Sequence, residues 1–397
     1  MSTPYTLRWG ILATGWIAQT FTKDLLTNPA TRDVSDVKHT VVAAASSSSV
    51  SRAESFLKEV DAPAGAKAYG SYADLVADPN VDIIYVATPH SHHFQNTMLA
   101  LEAGKHVLCE KAFTVNAAQA KKLVETARAK KLFLMEAVWT RYFPMSIQIR
   151  EKVTNGTIGN VHRVFADLSF ANTEADGNRL TFADSHRMVN MDLAGGALLD
   201  LGIYALTWVF QTLYLTQTKP REAPTVLSAL HKYDKTGADE TTTMILNFPK
   251  HKAVGIATTS MRVATRPNDE DVAGPSIRIQ GSKGEIQVFG NAFRPDRYKV
   301  ISLDGKVENV ECPYPKDKER KASSVEGDIG VGHGMYWEAD EAARCIRDGK
   351  LESETLEWDE SILIMEVMDE VRKQGGLKYP ELIETDVFDA ASPLNKK

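Results

Sequence analysis

Hydrophobic and polar positions change rhythm once along this chain. In the first third, short apolar runs alternate with segments in which apolar residues return every three or four positions. The runs "LRWGIL" (7–12), "TVVAAA" (40–45), "DIIYVAT" (82–88), "HVLCE" (106–110) and "LFLMEA" (132–137) are apolar on both faces, as strands covered by helices on both sides must be. Between them, "NAAQAKKLVETARAK" (116–130) has helical spacing, with Asn116 as N-cap and Gln119 three residues on. Alternation of this kind predicts an α/β fold with a doubly wound parallel sheet of Rossmann type.

After about residue 150 the pattern becomes one long apolar helix, "GALLDLGIYALTWVFQTLY" (196–214), followed by strands at 225–233, 241–248, 252–261, 276–281 and 284–290. Polar or glycine-bearing turns such as "NFPKHK" and "GSKG" separate them. This predicts a second, α+β domain built on a large, mostly antiparallel sheet with helices on one face. Helical patterns return at 335–349 and 359–375. The domains are expected at 1–142 and 143–397, consistent with a length of 397 residues, which exceeds one ordinary core.

A hydrophobic share of 43% and a charged share of 25% are those of a globular chain. The net charge of -6 argues against a nucleic-acid or anionic-membrane surface, both of which call for clustered cations. No apolar stretch is read as long enough to span a bilayer, and no secretory signal is recognised. Cys109, Cys312 and Cys345 are far apart and in no C-x-x-C spacing. A reducing, cytoplasmic setting is therefore expected.

The stretch "GILATGWIA" (10–18) follows the first strand and nearly matches the dinucleotide fingerprint G-x-G-x-x-G/A. Gly15 fills the middle position, where backbone must approach a pyrophosphate, and Ala18 is an accepted last residue. Ala13 stands at the first, and its methyl is tolerable provided φ stays negative. Backbone N–H groups from Thr14 through Trp16 and Ile17, with the helix dipole, form the predicted pyrophosphate cradle. The second strand then runs into "ASSSSVSR" with no acid before Glu54. An Asp or Glu there would select NAD; hydroxyls of Ser46 and Ser47 and the Arg52 guanidinium suit the 2′-phosphate of NADP.

Further candidates lie at predicted strand ends. "VLCEKAF" (107–113) places Glu110 and Lys111 at the carboxyl edge of the sheet, where open α/β sheets bind ligands. Asp200 and Tyr204 stand four apart in "AGGALLDLGIY" (194–204), on one helix face. A Tyr paired with a Lys is a known device for moving a proton at an alcohol, since a cation favours the phenolate. "ATPHSHHFQ" (87–95) holds His90, His92 and His93, but no acid or Cys joins them at ligand spacing, so no metal site is expected. Lining the cofactor crevice, or capping the helix after Pro89, suits these histidines better.

Together these segments resemble the glucose–fructose oxidoreductase / inositol dehydrogenase family from about residue 7 to 377. "EAVWTRYFP" and "LLDLGIY" resemble its branch of dimeric dihydrodiol dehydrogenases and fungal NADP-dependent D-xylose 1-dehydrogenases. The resemblance implies that Lys111 is the lysine of a Glu-Lys-Pro motif, that Tyr204 is the catalytic tyrosine, and that Asp200 lies near sugar hydroxyls. It implies Trp139 and Arg141 beside the nicotinamide, and Thr88 and His93 along the cofactor. Two positions depart from the pattern: Ala13 replaces a glycine, and Ala112 the motif proline, which in the family often precedes a cis bond. The expected reaction is oxidation of a sugar, D-xylose foremost, by NADP; oxidation of trans-dihydrodiols, or NADP binding by a non-catalytic regulator, are the alternatives. The resemblance also implies a homodimer formed through the open face of the second sheet, where Ile245 and Val254 are available.

Overall fold

The computed structural model describes residues 3–267, 274–317 and 332–396. They form two compact units: residues 1–139, 314–362 and 382–397 in the first, and 140–313 with 363–381 in the second.

The first unit is built on six parallel strands, β1 (Tyr5–Leu12), β2 (Val37–Ala45), β3 (Lys67–Tyr69), β4 (Ile83–Val86), β5 (His106–Glu110) and β6 (Leu134–Ala137), in the order β3-β2-β1-β4-β5-β6. Helices α1 (Trp16–Leu25), α2 (Val50–Glu59), α3 (Tyr72–Ala77), α4 (His93–Glu102) and α5 (Ala117–Lys130) make the crossovers. Chain direction across the sheet reverses between β1 and β4, so their carboxyl ends border the crevice in which such sheets bind ligands. Both strands are fully buried there, Ile11, Leu12 and Ile83 to Val86 being wholly inaccessible. Helix α5 begins as its sequence predicts: Asn116 Oδ1 accepts from the Gln119 N–H at 2.9 Å. The Gln119 amide oxygen in turn accepts from the Val115 N–H, one residue before the cap.

The second unit is an eight-stranded sheet: β7 (Val161–Ser169), β8 (Thr225–Lys232), β9 (Asp239–Phe248), β10 (Ala253–Ser260), β11 (Ile277–Gly281), β12 (Gly284–Asn291), β13 (Arg294–Ser302) and β14 (Val307–Glu311). Their order is β14-β13-β12-β11-β7-β10-β9-β8, antiparallel except for the β7–β10 pair. Helix α6 (Pro144–Thr154) precedes it, and α7 (Ile203–Leu213) packs on β7 and β10. Strands β3, β7, β13 and β14 and helix α6 are absent from the sequence reading. The reason is visible in β7, where Arg163 and Asp167 alternate with buried Val164, Ala166 and Leu168. One face of that strand is open, so charge interrupts its apolar pattern.

Two further expectations need correction. The segment Met191–Leu213 is long and apolar enough to cross a membrane by composition, contrary to the sequence reading, but 94% of its most apolar window is buried inside the second unit. Its apolar character serves the core behind the sheet. The chain also returns to the first unit after residue 313 rather than staying in the second. Helix α8 (Tyr336–Arg347) packs on β1 and β2, and the start of α9 (Trp358–Gly375) covers β6. Edge strand β6 is closed by Leu134 N–H donating to Leu351 O, Trp358 Nε1 donating to Leu134 O at 2.7 Å, and Ser361 Oγ donating to Glu136.

Candidate active site

The turn from β1 into α1 is the first component. Ala13 departs from the expectation of a negative φ: it sits at φ +83, in the region that favours glycine. Gly15 is extended, at φ -78 and ψ -176, and caps α1 without any side-chain hydrogen bond. A Cβ built on Gly15 would meet no protein atom within 4 Å. Protein packing therefore does not require this glycine; an approaching ligand does. The first turn of α1 holds no acid and its start has no side-chain cap, as an anion-binding helix start requires.

At the end of β2, Ser46 is buried with its hydroxyl 2.8 Å from that of Ser48, and Ser49 caps α2 by accepting from the Arg52 N–H. Ser47 lines a shallow cavity with Gly70, Ser71, Tyr72 and Lys396. The Arg52 guanidinium reaches back to donate to the Thr14 carbonyl at 3.2 Å and pairs with Glu59. The structure thus puts Arg52 beside the β1–α1 turn, next to the segment expected to hold a pyrophosphate.

Histidine 93 ties the ends of β4 and β5 together. Its Nδ1 lies 2.8 Å from Ala112 O and its Nε2 2.9 Å from Thr88 O. Burial pushes its pKa down to about 4, against the raising pull of the Ala112 and Thr88 carbonyls. Pro89 starts the short helical turn of His90 to His92, and the His90 ring meets that of His93 edge-on at 5.6 Å. The buried Thr88 hydroxyl has no hydrogen-bond partner among the described residues. Glu110 accepts from Tyr85 Oη at 2.5 Å and from the Lys111 N–H at 3.1 Å, and the Lys111–Ala112 peptide is cis. Lysine 111 thereby stands at the carboxyl end of β5 with its backbone braced.

Trp139 and Trp16 share a neighbour the sequence did not reveal. The His333 ring lies 5.7 Å from that of Trp139 and 6.0 Å from that of Trp16. It is held there by Asp24 of α1, whose Oδ2 accepts from the N–H groups of His333 and Met335. No motif surrounds His333, so only the tertiary fold could expose it.

The second unit carries Arg141, Asp200 and Tyr204. Arg141 is fully buried, and its carbonyl accepts from Arg150 at 2.8 Å. Leu198–Gly202 form a π turn that runs directly into α7, so Asp200 lies in the π turn and Tyr204 in the first turn of the helix. A π turn is rare and recurs at functional sites. Asp200 is paired with Arg187 at 3.0 Å, another residue without a sequence motif. The Tyr204 ring packs near Phe293, centroids 5.8 Å apart.

Among the described residues, no group of three or more His, Cys, Asp or Glu side chains is arranged to hold a metal. A dinucleotide does fit the residues present: Gly15 leaves backbone accessible, α1 starts uncapped, and the buried Thr88 hydroxyl at the end of β4 lacks a partner.

Comparison with known proteins extends this geometry. Residues 7–138 match the family model described as "Oxidoreductase family, NAD-binding Rossmann fold", and residues 146–287 match "GFO/IDH/MocA C-terminal domain". The chain is 64% identical over 393 residues to the D-xylose 1-dehydrogenase (NADP(+)) of Hypocrea jecorina, covering 99% of this chain and 98% of that protein. It is 36% identical over 375 residues to human trans-1,2-dihydrobenzene-1,2-diol dehydrogenase, covering 94% and 98%. Among solved structures, a levoglucosan dehydrogenase in complex with NADH and levoglucosan shares the fold with a TM-score of 0.75 at 18% identity, covering 94% of this chain and 97% of that one.

Proposed function

The chain belongs to the GFO/IDH/MocA oxidoreductase family, and from that premise we propose that it is an NADP-dependent dehydrogenase oxidising D-xylose at C1 to D-xylono-1,5-lactone. The observation that carries this reading is the end-to-end likeness to the Hypocrea jecorina enzyme. Bound NADP would supply the hydride acceptor. The β1–α1 turn around Gly15, with Thr14, Trp16 and Ile17, would hold the pyrophosphate, and Ser46, Ser47 and Arg52 the 2′-phosphate.

Loss of hydride from a pyranose C1 leaves a hydroxyl proton to be removed. Tyr204 is assigned as its acceptor, with Lys111 as the cation that binds the substrate oxygen and favours the phenolate. The Lys111 amine as acceptor is the alternative assignment. Asp200, oriented by Arg187, would accept from ring hydroxyls, while Trp139 offers an apolar face and Arg141 a fixed cation. Initial rates of NADPH formation test the reading: D-xylose is expected to be the better substrate, and turnover confined to trans-dihydrodiols would replace it. Absence of turnover on any polyol, aldose or diol would favour a regulator.

The open face of the second sheet supports a homodimer. Leu227, Ile245, Ile256 and Phe165 stand directly opposite one another across β8, β9, β10 and β7. Leu227 is 67% exposed and Ile245 39%. A row of this kind, on the face away from α7, is the apolar patch a second copy would cover. Leu227→Glu should then shift the sedimenting species from dimer to monomer; a monomeric wild type at micromolar concentration contradicts the assignment.

A further inference from the structure

Asp239 begins β9 as a wholly buried carboxylate, and its partners all belong to the site's scaffold. Its Oδ2 accepts from the Leu198 N–H at 2.6 Å and from Thr242 Oγ1 at 3.0 Å. Leu198 is the first residue of the π turn that holds Asp200 and leads to Tyr204. The other oxygen, Oδ1, has no hydrogen-bond partner among the described residues. That oxygen explains a glycine. A Cβ on Gly196, which sits at φ +135, would collide with it. The "GG" before the π turn thus leaves room for a carboxylate arriving from another strand.

We infer that Asp239 is a positioning residue for the reaction: it ties the start of the π turn to β9 and so fixes where Asp200 and Tyr204 present their side chains. The inference rests on the assignment of Tyr204 and Asp200 given above. An uncapped turn at Leu198 would leave a buried N–H unsatisfied and free the segment to rewind as ordinary helix. Rewinding one turn moves every later side chain relative to the sheet.

Burial pushes the Asp239 carboxyl up to about 6, against the lowering pull of the Leu198 and Thr242 hydrogen bonds and the Arg372 guanidinium of α9. The other charged groups nearby are otherwise engaged. Lys232, opposite it on β8, donates to Gly376 O; Glu240 pairs with Arg262, and Asp200 with Arg187. A raised folded-state pKa means that ionising Asp239 costs stability as pH rises from the unfolded value through about 6. The fold nevertheless keeps an acid here, as the acceptor for the Leu198 N–H.

The test compares wild type, Asp239→Ala, Asp239→Asn, Gly196→Ala, Tyr204→Phe and the Asp239→Ala/Tyr204→Phe double variant in NADP-dependent D-xylose oxidation at one pH near neutrality. Asp239→Ala should lower kcat by roughly tenfold to a hundredfold, the usual cost of a misplaced reacting group, with KM for NADP unchanged. Asp239→Asn, which keeps an acceptor for the Leu198 N–H, should restore kcat. On the Tyr204→Phe background, Asp239→Ala should cost nothing further. Gly196→Ala keeps the carboxylate but displaces it, so it should reproduce the kcat loss. Should Asp239→Ala not fold, Gly196→Ala and Asp239→Asn decide. Wild-type kcat in Asp239→Ala or Gly196→Ala, a kcat loss in Asp239→Asn as large as that in Asp239→Ala, or a full additional loss in the double variant overturns the inference. Wild-type turnover by Tyr204→Phe alone overturns the assignment of Tyr204 first, and the inference with it.

Discussion

Helix α1 starts at Gly15 with no side chain on its first N–H groups, whereas the turn leading into α7 starts at Leu198 with its N–H held by a carboxylate 41 residues further on. Both starts attract negative charge for the same reason: unpaired N–H groups and the positive end of the backbone dipoles. In the first unit no side chain fills that place, and a Cβ added there would meet nothing. In the second the protein fills it with Asp239 and clears a glycine to make room. A helix start kept open is a binding element; one closed by a distant acid is scaffold. The same physics yields either, and the neighbouring glycine tells them apart by what its missing Cβ would strike.

The largest expected effect falls on the proton-transfer pair. Tyr204→Phe and Lys111→Met should each lower kcat by ~10²–10⁴, the usual worth of such a group, with NADP affinity retained. Equal losses in cofactor binding, read by fluorescence titration, would move these residues from chemistry to cofactor scaffold.

Next comes the open helix start. Gly15→Val should weaken both NADP and NAD by about a hundredfold, since several hydrogen bonds to a charged group are each worth roughly 1.5–3 kcal/mol. Thermal stability should hardly change, because no protein atom lies in the way. A large drop in Tm with unchanged cofactor affinity would reverse the comparison, making Gly15 the structural glycine.

Arg52→Ala should act on one cofactor only. Loss of a charge-assisted bond to the 2′-phosphate predicts a tenfold or greater weakening of NADP relative to NAD, from the same roughly 1.5–3 kcal/mol. Parallel losses for both cofactors would instead trace to the bond from Arg52 to the Thr14 carbonyl, which shapes the turn itself.

The smallest effect concerns Ala13. A left-handed alanine costs about 1–2 kcal/mol, and glycine gives back roughly 0.5–1 kcal/mol through the unfolded chain's extra freedom. Ala13→Gly should therefore stabilise by about 0.5–1 kcal/mol in denaturant unfolding, with kinetics unchanged. A destabilised variant would mean that the methyl packs usefully at φ +83.

These cases also show what the sequence could and could not disclose. The Rossmann half was legible because its information is local: a doubly buried strand reads as an apolar run, Asn116 caps the helix that follows it, and Gly15 lies three residues beyond the strand it serves. Ala13 is not legible because the motif's glycine signal falls on Gly15, while the positive φ sits two residues earlier. The second half was legible in part: strands β8 to β12 were read, β8 although none of its residues is fully buried. Strands β7, β13 and β14 carry charge on an exposed side, and the apolar segment up to Leu213 reads equally as core or membrane span until the sheet is seen against it. Arg187, Asp239 and His333 announce nothing in sequence, because each acts on a partner brought near by folding: Asp200, Leu198 and the two tryptophans.

The most direct test of the account is the fate of the C1 hydrogen. D-xylose deuterated at C1 should transfer its label to NADPH and yield D-xylono-1,5-lactone, both read by NMR, with the lactone appearing in step with the reduced cofactor. Unlabelled NADPH, or no product from D-xylose while a trans-dihydrodiol is oxidised, would contradict it.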